Sequence, residues 1–196
     1  MDKRSPFALS LIDLPRTEGA ARDYHFEFQT PADFGGEMLG VPEGTPLIAD
    51  LNLQSVSEGV YLQGAVRATA HGRCVRCLTD FVLEMDEQVA ELIFYPEKIP
   101  PLIEEGDEEA EDFPVIDGDH IDLEPILRDS LVLAMPFTPT CNPDCGGLCS
   151  ECGQKWDELP EDHHHEVFDP RFAALDELLI AFEGSQNEGP EGADEK

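Results

Sequence analysis

Between about residues 46 and 95 polar and apolar positions alternate one for one, the signature of strands that bury a single face. Ala49, Leu51 and Leu53 alternate with Asp50, Asn52 and Gln54. A turn follows at Ser57-Glu58-Gly59, and Leu62, Gly64, Val66, Ala68 and Ala70 then share a face opposite Gln63, Arg67 and Thr69. This pattern predicts a hairpin. A third strand carries Phe81, Leu83 and Met85 inward against Val82, Glu84 and Asp86, falters near Glu87, and resumes from Val89 to Tyr95. A bulge or strand break is expected at the interruption. Residues 22–29 alternate too and are a candidate to pair with the same sheet.

The period changes in the second half of the chain. Leu123, Ile126, Leu127, Leu131 and Ala134 recur at helical spacing after Asp122, a candidate N-cap, with Pro125 in the first turn and Met135-Pro136 as the stop. Their apolar stripe is expected to cover one face of the sheet. A second helix is predicted from Asp169-Pro170, with Phe172, Leu175, Leu178, Leu179 and Phe182 on its apolar side before Gly184. Such a stripe normally joins a core; docking on a partner is the other use open to it. The fold class expected is α+β, an antiparallel sheet core with two helices in the C-terminal half.

Between the two patterns lies Glu104-Glu-Gly-Asp-Glu-Glu-Ala-Glu-Asp112, seven carboxylates in nine residues, preceded by Pro96, Pro100 and Pro101. Residues 96–114 therefore read as a mobile acidic loop. The expected organisation is one domain over 1–183, made of a β-rich part at 20–95, the acidic loop, and a helical and cysteine-rich part at 115–183. A disordered acidic tail is expected over 184–196. Forty-three acidic residues against 12 basic ones give a formal charge of −31. That disfavours long contacts with nucleic-acid phosphates, which rely on Lys and Arg to release counterions, and it favours a basic protein partner. The N-terminal run lacks the continuous apolar stretch of a signal peptide, and no segment approaches the length of a membrane span, so a cytoplasmic location is expected.

In a reducing compartment cysteines serve metal binding or redox chemistry in preference to structural disulfides. The six here are confined to Cys74-Val-Arg-Cys77 and Cys141-Asn-Pro-Asp-Cys145-Gly-Gly-Leu-Cys149-Ser-Glu-Cys152-Gly153. A Cys-x2-Cys pair at a tight turn holds two sulfurs on one side of the backbone, as a tetrahedral zinc ion needs, and flanking glycines suit the turn. Six thiols exceed the four one ion needs, and three groupings are open. The favoured one joins Cys74 and Cys77 to Cys149 and Cys152, two pairs of zinc-ribbon spacing. The others are a local site of Cys141, Cys145, Cys149 and Cys152, and a site in which Cys141 and Cys145 complete the first pair. The zinc is expected to be structural: four cysteines close its shell, and the chain carries neither HExxH nor His-x-Glu.

A thiol oxidoreductase is the rival reading, but its Cys-x-x-Cys belongs at a strand-to-helix junction, whereas Cys74 follows one strand and leads into another. His163-His164-His165 lies in an acidic stretch and reads as exposed, able to catch adventitious metal. Arg67, His71, Arg73 and Arg76 are the local concentration of positive charge. They either offset thiolate charge at the first knuckle or let Arg67, Arg73 and Arg76 touch RNA or a partner. There is no Gly-x-Ser-x-Gly, P-loop or dinucleotide fingerprint, and no enzyme is indicated.

Four segments together resemble the YceD family of large ribosomal RNA subunit accumulation proteins. They are Cys74-Val-Arg-Cys77-Leu78 after a hairpin, Ile121-Asp-Leu-Glu-Pro-Ile-Leu127 after the acidic loop, Cys145-Gly-Gly-Leu-Cys149-Ser-Glu-Cys152-Gly153, and Asp169-Pro-Arg-Phe-Ala-Ala-Leu175. The resemblance spans about 70 to 180. It implies a non-enzymatic cytoplasmic factor in the synthesis, processing or stability of large-subunit ribosomal RNA. Reconciled with the charge, that role is expected to run through a basic ribosomal protein or assembly factor, with any RNA contact limited to the three arginines. A third reading is an acidic adaptor unrelated to ribosomes.

Overall fold

The computed structural model describes residues 5–165 together with Leu175. The predicted helix from Asp169 to Gly184 and the tail at 184–196 lie, apart from Leu175, outside the described residues. The architecture is α+β, built on an antiparallel sheet.

The alternation at 46–95 forms three strands, β5 (Pro46–Ser55), β6 (Gly59–Arg73) and β7 (Asp80–Phe94). β6 pairs along its whole length with β7, from Gly59 opposite Phe94 to Arg73 opposite Asp80. Its other edge is shared: β5 takes Val60 to Ala68, and β4 (Leu39–Val41) takes His71 and Gly72. The candidate strand near 22–29 is β2 (Ala21–Gln29), paired with β5 as the sheet's outer strand. Two short additions carry no alternation long enough to read: β3 (Phe34–Gly35), hairpinned with β4, and the separate ribbon of β1 (Ala8–Ser10) with β8 (His120–Asp122).

The bulge expected at Glu87 is absent. β7 keeps one-to-one register through Asp86, Glu87 and Gln88, which face Arg67, Val66 and Ala65. Glu87 occupies an inward-parity position and is half-buried there, so a polar residue interrupts the apolar stripe without interrupting the backbone ladder.

The helical spacing at 123–134 yields α2 (Glu124–Ala134), with α1 the short helix Ile99–Glu104 that precedes it. Leu123 is the residue at the cap position, but Asp122 performs the expected service: its Oδ1 accepts the Glu124 amide at 3.1 Å. Ile126, Leu127 and Leu131 are buried against the inner face of the sheet, which presents Leu47, Ala49, Leu51 and Leu53 from β5 and Val66, Ala68 and Ala70 from β6. Arg128 fixes the helix to β3, donating to the Asp33 carbonyl at 2.6 Å with its guanidinium 4.7 Å from the centre of the Phe34 ring.

The acidic connection has more structure than its composition predicts. Pro100 and Pro101 open α1, where a fixed φ and a missing N–H cost nothing, and a 3-10 turn follows at Glu108–Asp112. Ala110 is fully buried, Phe113 stacks on Phe94 at 5.1 Å, and Phe94 both donates to Pro114 O and accepts from Ile116 N. Apolar residues at 110 and 113–116 thus pin an acidic segment to the end of β7. No helix among the described residues is long and apolar enough to cross a membrane.

Candidate metal centre

The loop joining β6 to β7 is Cys74-Val-Arg-Cys77-Leu-Thr79, at the tip of the longest hairpin. Its backbone closes on itself: Cys74 N donates to Thr79 O at 2.9 Å and Leu78 N to Cys74 O at 2.9 Å. The Cys77 amide points at Cys74 Sγ, 3.5 Å away, an orientation that favours a thiolate there. The turn requires a left-handed residue, and Leu78 supplies it at φ 58°. For a residue with a Cβ that conformation costs about 1–2 kcal/mol.

After α2 the chain returns to this tip. Val75 N donates to Pro139 O at 2.9 Å and Arg76 Nη1 to Cys145 O at 3.0 Å, and these two bonds set Cys141 and Cys145 beside the loop. Cys74 Sγ lies 3.7 Å from Cys145 Sγ, and Cys77 Sγ lies 3.6 Å from Cys141 Sγ. All four sulfurs fall within 4.8 Å of one another. A tetrahedron of zinc–sulfur bonds has edges of about 3.8 Å, so the set has the size of a four-thiolate shell. Cys74, Cys77 and Cys145 are buried, with Phe81 and Leu148 against them.

The pairing favoured from spacing, Cys74 and Cys77 with Cys149 and Cys152, is not the one the fold makes. Cys141 and Cys145, the alternative ligands, complete the first pair, because the contacts at Pro139 and Cys145 bring that stretch in first. Gly146-Gly147 then turns the chain across Arg76. Gly147 has φ 80°, and a Cβ on it would stand 3.3 Å from Arg76 O. Beyond that turn, Cys149 and Cys152 gather with His163 and His165, again with one ligand atom from each within 4.8 Å. The histidine run is legible in the sequence as a possible metal catcher but not as a partner of the second Cys-x2-Cys. The available signal is Cys-x2-Cys-x10-His-x-His.

The first four thiols are electrostatically uneven. At Cys74 burial opposes ionisation, but the amides of Cys77, Cys141 and Arg76 outweigh it and bring the pKa down to about 6. The Thr79 hydroxyl, 3.3 Å from the sulfur and able to donate to a thiolate, lowers Cys77, and the Thr79 amide adds to it. Cys141 is pushed up to about 12, first by sharing a proton with Cys77 and then by burial. Cys145 also goes up: the Gly147 amide favours its thiolate, but burial and the Cys77 and Cys74 sulfurs prevail. Ionisation is thus eased at Cys74 and Cys77 and hindered at Cys141 and Cys145, where thiols share protons in one small buried space; a divalent cation would allow all four to ionise.

The three singled-out arginines each already face an acceptor. Arg67 pairs with Asp50 across β5 and β6, Arg73 Nε meets Asp80 Oδ1 at 3.0 Å, and Arg76 serves the Cys145 carbonyl. His25 Nδ1 shares Asp50 at 2.5 Å. This hydrogen bond, with the Arg67 charge, holds the Asp50 carboxyl below its ordinary range. The positive charge around the first knuckle is thus engaged largely within the fold.

The family profile described as Large ribosomal RNA subunit accumulation protein YceD matches residues 62–179, a span that starts in β6 and contains all six cysteines and both histidine ligand candidates. The chain belongs to the YceD family. Among similar curated proteins, an uncharacterised protein of Mycobacterium tuberculosis is 39% identical over 175 residues, covering 89% of this chain and 82% of its own length. One of Mycobacterium leprae is 34% identical over 175 residues, covering 89% of this chain and 78% of that protein. The uncharacterised YlbN of Bacillus subtilis is 26% identical over 132 residues, 67% of this chain and 70% of its own. No solved structure matches significantly. The YceD match leaves β1 to β5 outside its bounds, so the family signature is centred on the long hairpin, α2 and the cysteine-rich element.

Proposed function

We propose that this YceD-family chain is a non-enzymatic cytoplasmic factor in the synthesis, processing or stability of large-subunit ribosomal RNA, acting through a basic ribosomal protein or assembly factor. The observation that carries the reading is the family match over 62–179, whose description names large ribosomal RNA subunit accumulation. The geometry supports a structural role for metal. Cys74, Cys77, Cys141 and Cys145 would hold one zinc ion in a closed four-thiolate shell, leaving no position for a reacting water. The ion supplies a cross-link between the β6–β7 hairpin and the segment after α2. The surrounding surfaces do the recognising, and with a formal charge of −31 and the three arginines engaged by Asp50, Asp80 and Cys145, a basic protein is a better complement than RNA.

The test is depletion followed by quantification of large- and small-subunit ribosomal RNA and their precursors. A selective fall in the large-subunit species is expected; an unchanged ratio, with precursors unaltered, sinks the reading and leaves an acidic adaptor unrelated to ribosomes. Crosslinking adds the partner: expected is a basic protein on the acidic segment at 104–112, and extensive RNA crosslinks there with no protein would overturn that part. The oxidoreductase reading draws on the acidity of Cys74. That sulfur, however, belongs to a residue with 0% exposure in a hairpin loop, where a substrate disulfide has no approach.

A further inference from the structure

The segment after Cys145 is built as a second copy of the first knuckle. In the first, the Cys74 amide donates to Thr79 O and the Leu78 amide returns to Cys74 O. In the second, the Cys149 amide donates to Gln154 O at 2.8 Å and the Gly153 amide returns to Cys149 O at 2.9 Å. The spacing of donors and acceptors is identical, and so is the left-handed residue after the second cysteine: Leu78 at φ 58°, Gly153 at φ 70°. Cys149 is buried, but Ser150 to Gln154 are all exposed, so the turn itself covers no core. What the turn accomplishes is to aim two sulfurs together.

Two imidazoles complete the set. A bridge between Leu148 and Lys155 and a bond from Trp156 N to Gly147 O at 3.0 Å fold the chain back over the knuckle. Trp156 presents its ring to His163 edge-on at 5.5 Å, and His163 meets His165 at 4.5 Å. His163 Nε2 stands 3.6 Å from Cys152 Sγ, and a tetrahedral zinc with one sulfur and one nitrogen ligand separates them by about 3.6 Å. His164 is turned out of the group, its Nδ1 2.9 Å from the Asp162 carbonyl.

We propose that Cys149, Cys152, His163 and His165 form a second, Cys2His2 zinc site distinct from the four-cysteine one. Two thiolates, two imidazoles and a divalent ion are neutral together, whereas the four-thiolate shell keeps a charge of about −2. The six cysteines are thus all used, four in one site and two in the other, and the histidine run is part of the architecture. This site does not depend on the ribosomal reading.

Native mass spectrometry and elemental analysis of the full chain, expressed with zinc, test the proposal. Two ions per chain are expected, one in the variant carrying His163→Ala with His165→Ala, and two in His164→Ala. With cobalt in place of zinc, thiolate-to-metal charge-transfer absorption should fall by about a third in the double variant, as two of six thiolates leave the metal. One ion or none in the unmodified chain, two ions retained in the double variant, or an ion lost from His164→Ala overturns the site. Cys74→Ser removes the other ion, so failure of either site is distinguishable from failure of the other.

Discussion

The two knuckles share a backbone but not a setting. The first sits at the tip of a hairpin of two fifteen-residue strands, with Cys74 and Cys77 buried under Phe81 and beside a returning segment. The second lies nearer the surface, held by one short bridge and a tryptophan, with Cys149 buried but Cys152 open to solvent. At the position that must be left-handed, the buried knuckle uses a leucine and the exposed one a glycine. The buried turn can tolerate a strained residue because the sheet, the Arg76 bond and the neighbouring sulfurs over-determine it. The exposed turn has no such support, and its sequence supplies the unstrained residue. The first knuckle therefore ties the hairpin tip to the segment after α2, and the second organises a local excursion from that segment.

The largest expected difference is in what each pair of thiols contributes to global stability. Cys74→Ser should lower the melting temperature by about 10 °C or more, since it frees the hairpin tip from the segment after α2 and leaves three thiols without a closed shell. Cys149→Ser should shift it by about 4 °C or less, with the loss confined to protease sensitivity between 146 and 165. Equal shifts in thermal unfolding of the two variants would erase the distinction. Chelation should follow the same order, the exposed Cys2His2 ion leaving before any loss of sheet signal.

Next in size is Arg76→Ala. Its guanidinium donates to the Cys145 carbonyl from a residue that also walls off Gly147, so truncation leaves that carbonyl unserved and loosens the contact between the loop and the 141–147 stretch. A loss of about 1.5–3 kcal/mol in urea unfolding is expected. Arg73→Ala is the control: its Asp80 pair is well exposed, and a change of less than about 1 kcal/mol should follow. Similar losses from the two arginines would mean that the first knuckle is not clamped through Arg76.

These expectations show where sequence and structure part. The sheet is readable because β5, β6 and β7 are long and bury one face, so parity alone assigns Leu51, Leu62 and Val66 to the core. The helix over 124–134 is readable from its caps and stripe. Glu87 misleads because a half-buried acid in the apolar stripe reads as a backbone irregularity, and the acidic connection misleads because Ala110 and Phe113, the residues that anchor it, are few among many carboxylates. β1, β3, β4 and β8 have three residues or fewer and carry no period at all. The candidate site is half legible. Knuckle geometry follows from local spacing, but which pair meets which depends on Pro139, Arg76 and the Gly146-Gly147 turn, long-range contacts that no spacing rule contains.

The αL positions offer a sharper and smaller comparison. Leu78 is 57% exposed, so replacing it by glycine sacrifices little packing and relieves the left-handed penalty; Leu78→Gly should stabilise the chain by about 1 kcal/mol at most. Gly153→Ala should act in the opposite sense, by about 1 kcal/mol, and show itself as faster amide exchange at Cys149 and Gly153. A loss of stability in Leu78→Gly would mean that the leucine side chain, and not the backbone turn, is what the first knuckle needs.

The smallest effect lies away from both knuckles and calibrates them. The folded state holds Asp50 below its ordinary pKa of 3.8 through the His25 hydrogen bond and the Arg67 charge. A depressed carboxyl contributes stability that is fully present above the ordinary value and is lost as pH falls through the lower folded one. Unfolding midpoints followed downward from pH 5 should therefore decline less steeply in Asp50→Asn than in the unmodified chain, because one of the groups whose protonation drives the loss is gone. At neutral pH the variant should retain both ions, since Asp50 belongs to the cross-strand pairs on the outer face of β2, β5 and β6 and touches neither cluster. Identical acid slopes would show that the His25–Asp50–Arg67 group is too well solvated to bias folding, and that the stability differences between knuckles come from metal and packing alone.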